Sequence, residues 1–238
     1  MKILWTVACA TTLWSPVQAF VTSRGPVGTG SGALHGSRQP ARRGSAAASM
    51  VFNTKKTGAT GVKQLKSELL SIAGATGRGV SMTEEQRTRI DELMEALTKV
   101  NKVKDAATSP LLNGKWVLQW TDEKETAFLL KSGLFGLKTG EVSQTIDTKQ
   151  QVLSNAVLFG TGDDVASAQG TFQVGSTAIP ETSGARVNFE FLSCSIRWKK
   201  FTVPLPPVGK GWFASVYLDE SMRITTDSRG DRQIFTRG

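Results

Sequence analysis

Histidine is nearly absent from this chain of 238 residues: His35 is the only one, and the cysteines number two, Cys9 and Cys194. His35 and Cys9 both fall within the first 60 residues. The remainder has no imidazole for general-base chemistry or for a metal site. Cys194 has no second thiol there, which excludes an intrachain disulfide and a thiolate cluster. A lone cysteine in a strand-like run reads as a small core or surface residue. Acid is missing from one end. No Asp or Glu precedes Glu68, whereas nine Lys or Arg do. The formal charge of +9 comes from 29 basic and 20 acidic residues, so residues 68–238 carry 20 of each sign. The basic excess belongs to the N-terminal stretch. The rest has no domain-wide electrostatic footprint for nucleic acid. No nucleic-acid partner, metal or cofactor is expected.

The N-terminal stretch reads as an address. Lys2 supplies a positive start, Ile3 to Trp14 is mostly apolar but too short to span a bilayer, and Val17-Gln18-Ala19 resembles a small-residue cleavage site. This is the layout of a secretory signal peptide, residues 1–19. Residues 20–60 are rich in Ser, Ala, Gly and Arg, with Arg24, Arg38, Arg42 and Arg43 and no acid, the composition of an organelle transit peptide. Their Gly and Pro content disfavours a packed core. The tandem resembles the bipartite presequence of algae whose plastids lie within extra, endomembrane-derived membranes. In that class Phe typically follows the first cleavage, and Phe20 stands there. A secreted protein with a flexible basic arm is the alternative. Residues 61–238 are enough for one domain with a single core.

Two helices are expected first. Val62, Leu65, Leu69 and Ile72 have helical spacing, ended by Gly74, Gly77 and Gly79. The second starts at Thr83, which with Gln86 forms a capping box; Ile90, Leu93, Met94 and Leu97 make its apolar stripe. Arg87, Arg89, Asp91, Glu92 and Glu95 read as its solvated face. From Gly114 the period changes to two. Strand-like runs occupy 114–121, 140–148, 151–160, 165–175, 185–193, 194–202, 212–218, 221–227 and 231–236. The fold class is therefore mainly β: an antiparallel barrel or sandwich preceded by two α-helices, with the barrel favoured because closure removes sticky edges. Residues 126–138 break the pattern. Phe128, Leu129, Leu130, Leu134, Phe135 and Leu137 are too apolar for a solvated loop. They form either a short helix plugging the barrel or a lid touching an apolar partner.

Gly114-Lys115-Trp116 at the first strand is a Gly-x-Trp, the motif with which lipocalins close the barrel floor. An Arg from a late strand often packs on that Trp; Arg223 and Arg237 are the candidates. A wider resemblance is to the plastid-lipid-associated protein family, the plastid fibrillins. It is carried by Leu69-Leu70-Ser71-Ile72-Ala73 with Arg78-Gly79, by Ser109-Pro110-Leu111-Leu112-Asn113-Gly114-Lys115-Trp116, and by Gly140-Glu141-Val142-Ser143-Gln144-Thr145-Ile146-Asp147. The most specific segment is Gly211-Trp212 leading into Tyr217-Leu218-Asp219-Glu220-Ser221-Met222-Arg223-Ile224. The resemblance spans roughly residues 65–238. It departs at Phe213-Ala214-Ser215-Val216, where the family often has Asp and Thr, and after Ile224, where only Arg229-Gly230-Asp231 is kept. It implies a lipocalin-like barrel in the plastid, at a thylakoid, lipid particle (plastoglobule) or in the stroma. It also implies a structural, lipid-carrying role, with carotenoids, quinones, tocopherols or fatty acids as partners. Gly114, Trp116, Gly211, Trp212, Tyr217, Asp219 and Arg223 would be its structural motif residues.

Strand alternation nominates a lining. Trp116, Leu118 and Trp120 form one row; Phe172 and Val174, then Val187, Phe189 and Phe191, then Ile196 and Trp198 form others. With Phe128, Leu134 and Phe135 they are the candidate lipid-binding residues. They either surround a cavity or fill a solid core, since barrels of about eight strands do both. A barrel isomerase or cyclase would need Asp219 or Glu220 as acid or base and Tyr217 as donor. Adjacent acids point to opposite faces, so only one could enter a cavity, and a turn stabilised by Asp219 is the simpler reading. A protein–protein scaffold at the thylakoid is the other alternative.

Overall fold

The computed structural model describes residues 59–162 and 167–238. The address expected over residues 1–60 lies outside them, except that the first helix already starts at Ala59. That helix, α1, spans Ala59–Ala75 and α2 spans Glu84–Lys99. The capping box is formed: Thr83 Oγ accepts from the Gln86 amide at 3.3 Å and Gln86 Oε1 from the Thr83 amide at 3.0 Å. Leu65, Leu69 and Ala73 of α1 pack with Ile90, Leu93, Met94 and Leu97 of α2.

A short 3-10 turn, Pro110–Leu112, leads into β1, Gly114–Thr121. Helix α3, Lys124–Ser132, follows. Then come β2 Thr139–Asp147, β3 Val152–Phe159, β4 Gly170–Thr177, β5 Ile179–Pro180, β6 Arg186–Trp198, β7 Phe201–Leu205, β8 Lys210–Leu218, β9 Met222–Asp227 and β10 Arg232–Arg237. The sheet runs β4-β3-β2-β1-β10-β9-β8-β6, and β6 pairs back onto β4. An antiparallel barrel of eight strands results, with β5 and β7 as appendages on β6.

The runs expected as separate strands at 185–193 and 194–202 are instead one long strand, β6, and a hairpin partner, β7. Arg186 to Glu190 pair with β8, while Phe191 to Trp198 pair with β4. One strand thus turns the corner of the barrel. A register shift at Leu192 accompanies the change of neighbour, with Phe191 opposite Ser176 and Ser193 opposite Gly175.

A second bulge changes which side of the wall is buried. In β1, Leu118 lies opposite Phe235 but Trp120 lies opposite Ile234, so the strand slips by one residue at Gln119. Trp120 therefore faces outward. There it packs with Tyr217, Met222, Ile224 and Ile234 against α1 and α2. The helices cover this wall, which is why Met222 to Thr225 are buried on both faces of β9. Lys66 of α1 reaches Asp219 at 2.7 Å, and Asp91 of α2 reaches Arg232 at 2.6 Å, fastening helices to barrel. Asp91 is thus not simply on a solvated face. Arg78-Gly79 anchors the interhelical loop: Arg78 donates to the Gly140 carbonyl at 2.8 Å, and its own carbonyl accepts from the Thr121 amide. Gly79 has positive φ, and a Cβ there would lie 2.1 Å from the Thr121 carbonyl oxygen.

Candidate functional site

Trp116 forms the floor, fully buried, its indole N–H donating to the Leu112 carbonyl at 2.8 Å. Arg237 stacks on it, 3.9 Å from the ring centroid, and donates to the carbonyls of Leu111 and Asn113 at 2.6 Å. Gly114 admits that guanidinium; a Cβ would meet Arg237 Nη1 at 2.8 Å. Of the two candidate arginines, Arg237 seals the floor. Arg223 lies inside the barrel, 5.2 Å from the same ring.

Above the floor is a half-enclosed cavity of about 200 Å³. Leu118, Phe172, Val174, Phe189 and Phe191 line it, as the alternation predicts, joined by Leu129, Val142, Leu153, Val157, Phe213 and Phe235. The space between the walls is therefore not completely filled. Val187 packs in the core with Trp116 and Phe213 without lining this space. Trp120 is on the far side of the wall. Ile196 and Trp198 border a second apolar space, a groove of about 380 Å³ closed by Phe135, Phe201 and Val203. Phe135 meets Trp198 edge-on, centroids 5.0 Å apart. Phe172 in the cavity pairs with Ile196 in the groove, so the two spaces lie one strand apart.

The segment 126–138 is divided between buried and exposed side chains. Leu129 and Leu134 are buried against Phe159, Phe172 and Ile196, whereas Phe128 and Phe135 are about half exposed. Phe201, 76% exposed, is the most open large apolar side chain on this end. Lys131, Lys138, Lys199 and Lys200 stand exposed in the same segments.

The polar lining escaped the apolar pattern. Ser143, Gln144, Asn155, Asp227, Gln233, Glu123 and Glu125 all reach the cavity. The signal was present: Gln144 shares its face with Val142 and Ile146, and Asn155 with Leu153 and Val157, so both point inward. At the α3 end, Arg229 pairs with Glu123 at 2.6 Å, Asp231 at 3.0 Å and Glu125 at 3.3 Å. Burial raises the Glu123 carboxyl against the opposing pull of Thr126 and Arg229. Deeper in, Arg223 is fully buried with its guanidinium 4.5 Å from the Phe235 centroid and 5.3 Å from that of Phe213. Burial, with the positive charge of Arg237 nearby, lowers it to about 9, so it stays charged at neutral pH. Cys194 is buried on the inner wall, and burial alone pushes its thiol up to about 11.

Asp219 serves the β8–β9 turn. It accepts from the amides of Ser221 at 2.9 Å and Met222 at 2.8 Å, and from the Tyr217 hydroxyl at 2.6 Å. Tyr217 packs in the helix-facing cluster, not in the cavity, and Glu220 is exposed at the turn. Gly211 pairs with Phe189, and Arg186 lies 4.3 Å above the half-buried Trp212 ring.

Residues 63–236 match the family model PAP_fibrillin. The chain is 36% identical over 178 residues to the probable plastid-lipid-associated protein 11, chloroplastic, of Arabidopsis thaliana, an overlap covering 74% of this chain and 80% of that protein. It is 26% identical over 222 residues to the plastid-lipid-associated protein, chloroplastic, of Citrus unshiu, covering 75% of this chain and 69% of the relative. With the chromoplast-specific carotenoid-associated protein, chromoplastic, of Cucumis sativus it shares 27% identity over 213 residues, covering 71% and 65%. No solved structure matches the chain.

Proposed function

The chain belongs to the PAP_fibrillin family, and on that premise we propose that it is a non-catalytic plastid protein holding an apolar molecule in its barrel and resting the open end against a lipid surface. The observation that carries this reading is the cavity itself, lined mainly by aliphatic and phenyl side chains and lying one strand from an exposed aromatic groove. Burial of apolar area is the driving force for both contacts. At about 200 Å³ the cavity is smaller than the ~300–1,000 Å³ usual for a whole ligand. A carotenoid, quinone, tocopherol or fatty acid would be held by one part, with the rest leaving past the rim. The lysines at 131, 138, 199 and 200 suit an anionic or polar lipid interface, where aromatic rings and long basic side chains sit together. Among the described residues no helix is long and apolar enough to cross a membrane, so the contact would be made by the rim's side chains. The Tyr217–Asp219 pair, the acid and donor that a barrel enzyme would use, is committed to a turn on the helix-covered wall.

The test is to purify the protein from plastids, extract it with organic solvent and analyse the extract by mass spectrometry. A specific apolar molecule in near-stoichiometric amount is expected. An empty extract, together with failure of the protein to co-sediment with vesicles of plastid lipids, would overturn the proposal.

A further inference from the structure

The deepest part of the cavity carries a chain of polar groups that apolar binding does not need. Arg223 Nη2 donates to Gln144 Oε1. Gln144 Nε2 in turn donates to Asn155 Oδ1 at 3.0 Å. Both amides line the cavity, and each spends its acceptor end on the previous donor. Asn155 is left with its Nδ2 to donate into the space. Behind them, Arg223 Nε and Nη1 are buried with no hydrogen-bond partner. No carboxylate forms an ion pair with Arg223 among the described residues, whereas Arg229, at the α3 end, and Arg232 each have acids. An unpaired buried cation is costly, and oriented amide dipoles extend its field. Register places the chain at floor level, since Trp116, Gln144, Asn155 and Val174 are successive cross-strand neighbours. The acids Glu123, Glu125 and Asp227 line the opposite, α3 end.

Resting on the cavity reading above, we propose that the apolar ligand carries a carboxylate head, bound head-down by the Gln144 and Asn155 amides with the Arg223 charge behind them. The acidic α3 end disfavours the reverse orientation, and the phenyl rings of Phe172, Phe189 and Phe191 receive the chain. Arg223 acts here as a positioning residue: it packs beside the rings of Phe213 and Phe235, which line the space while it does not, and it works through Gln144.

A displacement assay tests this without any substitution. A fluorescent fatty-acid probe is bound to the full protein above neutral pH and displaced with dodecanoic acid, methyl dodecanoate or dodecane. The acid should displace it at concentrations about tenfold or more below those of the ester and the alkane, as charge-assisted hydrogen bonds require. Equal potency of the three, or of acid and ester, would overturn the carboxylate head while leaving apolar binding in place. Absence of any probe binding would overturn both. Asn155→Asp, isosteric and still able to accept from Gln144, should erase the acid's advantage over dodecane, read by displacement of a neutral retinoid probe. An unchanged acid-to-alkane ratio in that variant, with the fold intact by melting temperature, would also overturn the proposal.

Discussion

At Asp219 one carboxylate closes the β8–β9 turn and ties α1 to the barrel through Lys66. Burial pushes this carboxyl up, but the bonds from Lys66, Tyr217 and the Ser221 and Met222 amides outweigh it and hold it at about 2 against an ordinary 3.8. A depressed carboxylate contributes stability that is complete above the unfolded value and lost as pH falls through the folded one. The melting temperature should therefore drop between about pH 4 and pH 2, by an amount worth roughly 1 kcal/mol after discounting for partial exposure. Asp219→Asn should lose that pH-dependent component, while changing apolar-ligand affinity by less than about threefold. A pH-resolved melting series beside a binding titration checks both. Trp116→Ala removes the floor and should cost ~3–5 kcal/mol, read from chemical denaturation; an unchanged midpoint would show that Trp116 does not close the barrel. Sequence pattern identified Trp116 because Gly-x-Trp is a local motif. It misplaces Trp120 because the Gln119 bulge is a backbone event set by the partner strand, and an apolar pattern does not single out Gln144 and Asn155, polar side chains on otherwise apolar faces.

Among the elements, α3 and the loop after it separate buried from exposed apolar side chains that sequence could only group together. Leu134 is 2% exposed and Phe135 48% exposed, although they are neighbours. The positive φ of Phe135 turns the chain between Leu134 and Leu137, whose backbones bond to each other at 2.9 Å in both directions. Leu134→Ser should weaken the fold by ~1.5–3 kcal/mol, the value of a fully buried aliphatic side chain. Phe135→Ser combined with Phe201→Ser should leave the denaturation midpoint nearly unchanged and reduce co-sedimentation with plastid-lipid vesicles. If sedimentation is unaltered, the rim is not the lipid contact. The helices were legible to within a few residues because caps and apolar stripes are local. The β6 strand was read as two because its halves have different neighbours, and partner identity is not written in a strand's own alternation.

On the scale of the whole molecule, charge segregates along the chain: nine basic residues and no acid before Glu68, then balance. We propose a two-step plastid address for the first 60 residues. A fluorescent fusion of residues 1–60 should reach the plastid, and Phe20→Ala should divert it to an outer compartment; secretion of the intact fusion to the medium would refute this. The closed eight-stranded ring follows from strand count and the avoidance of edges, but whether such a ring is hollow depends on a few side-chain volumes. Val157 is one of them, a mid-sized residue on the cavity wall whose side chain shares the inward face with Leu153 and Asn155. The most direct measurement is a fluorescence titration of the protein and of Val157→Phe with a retinoid or fatty-acid probe, alongside melting curves. Saturable binding at about one probe per chain, weakened at least about tenfold when the added phenyl fills the space while the fold holds, is the expected result. No saturable binding, or equal affinity in a folded Val157→Phe protein, would contradict the claim that the barrel holds an apolar ligand.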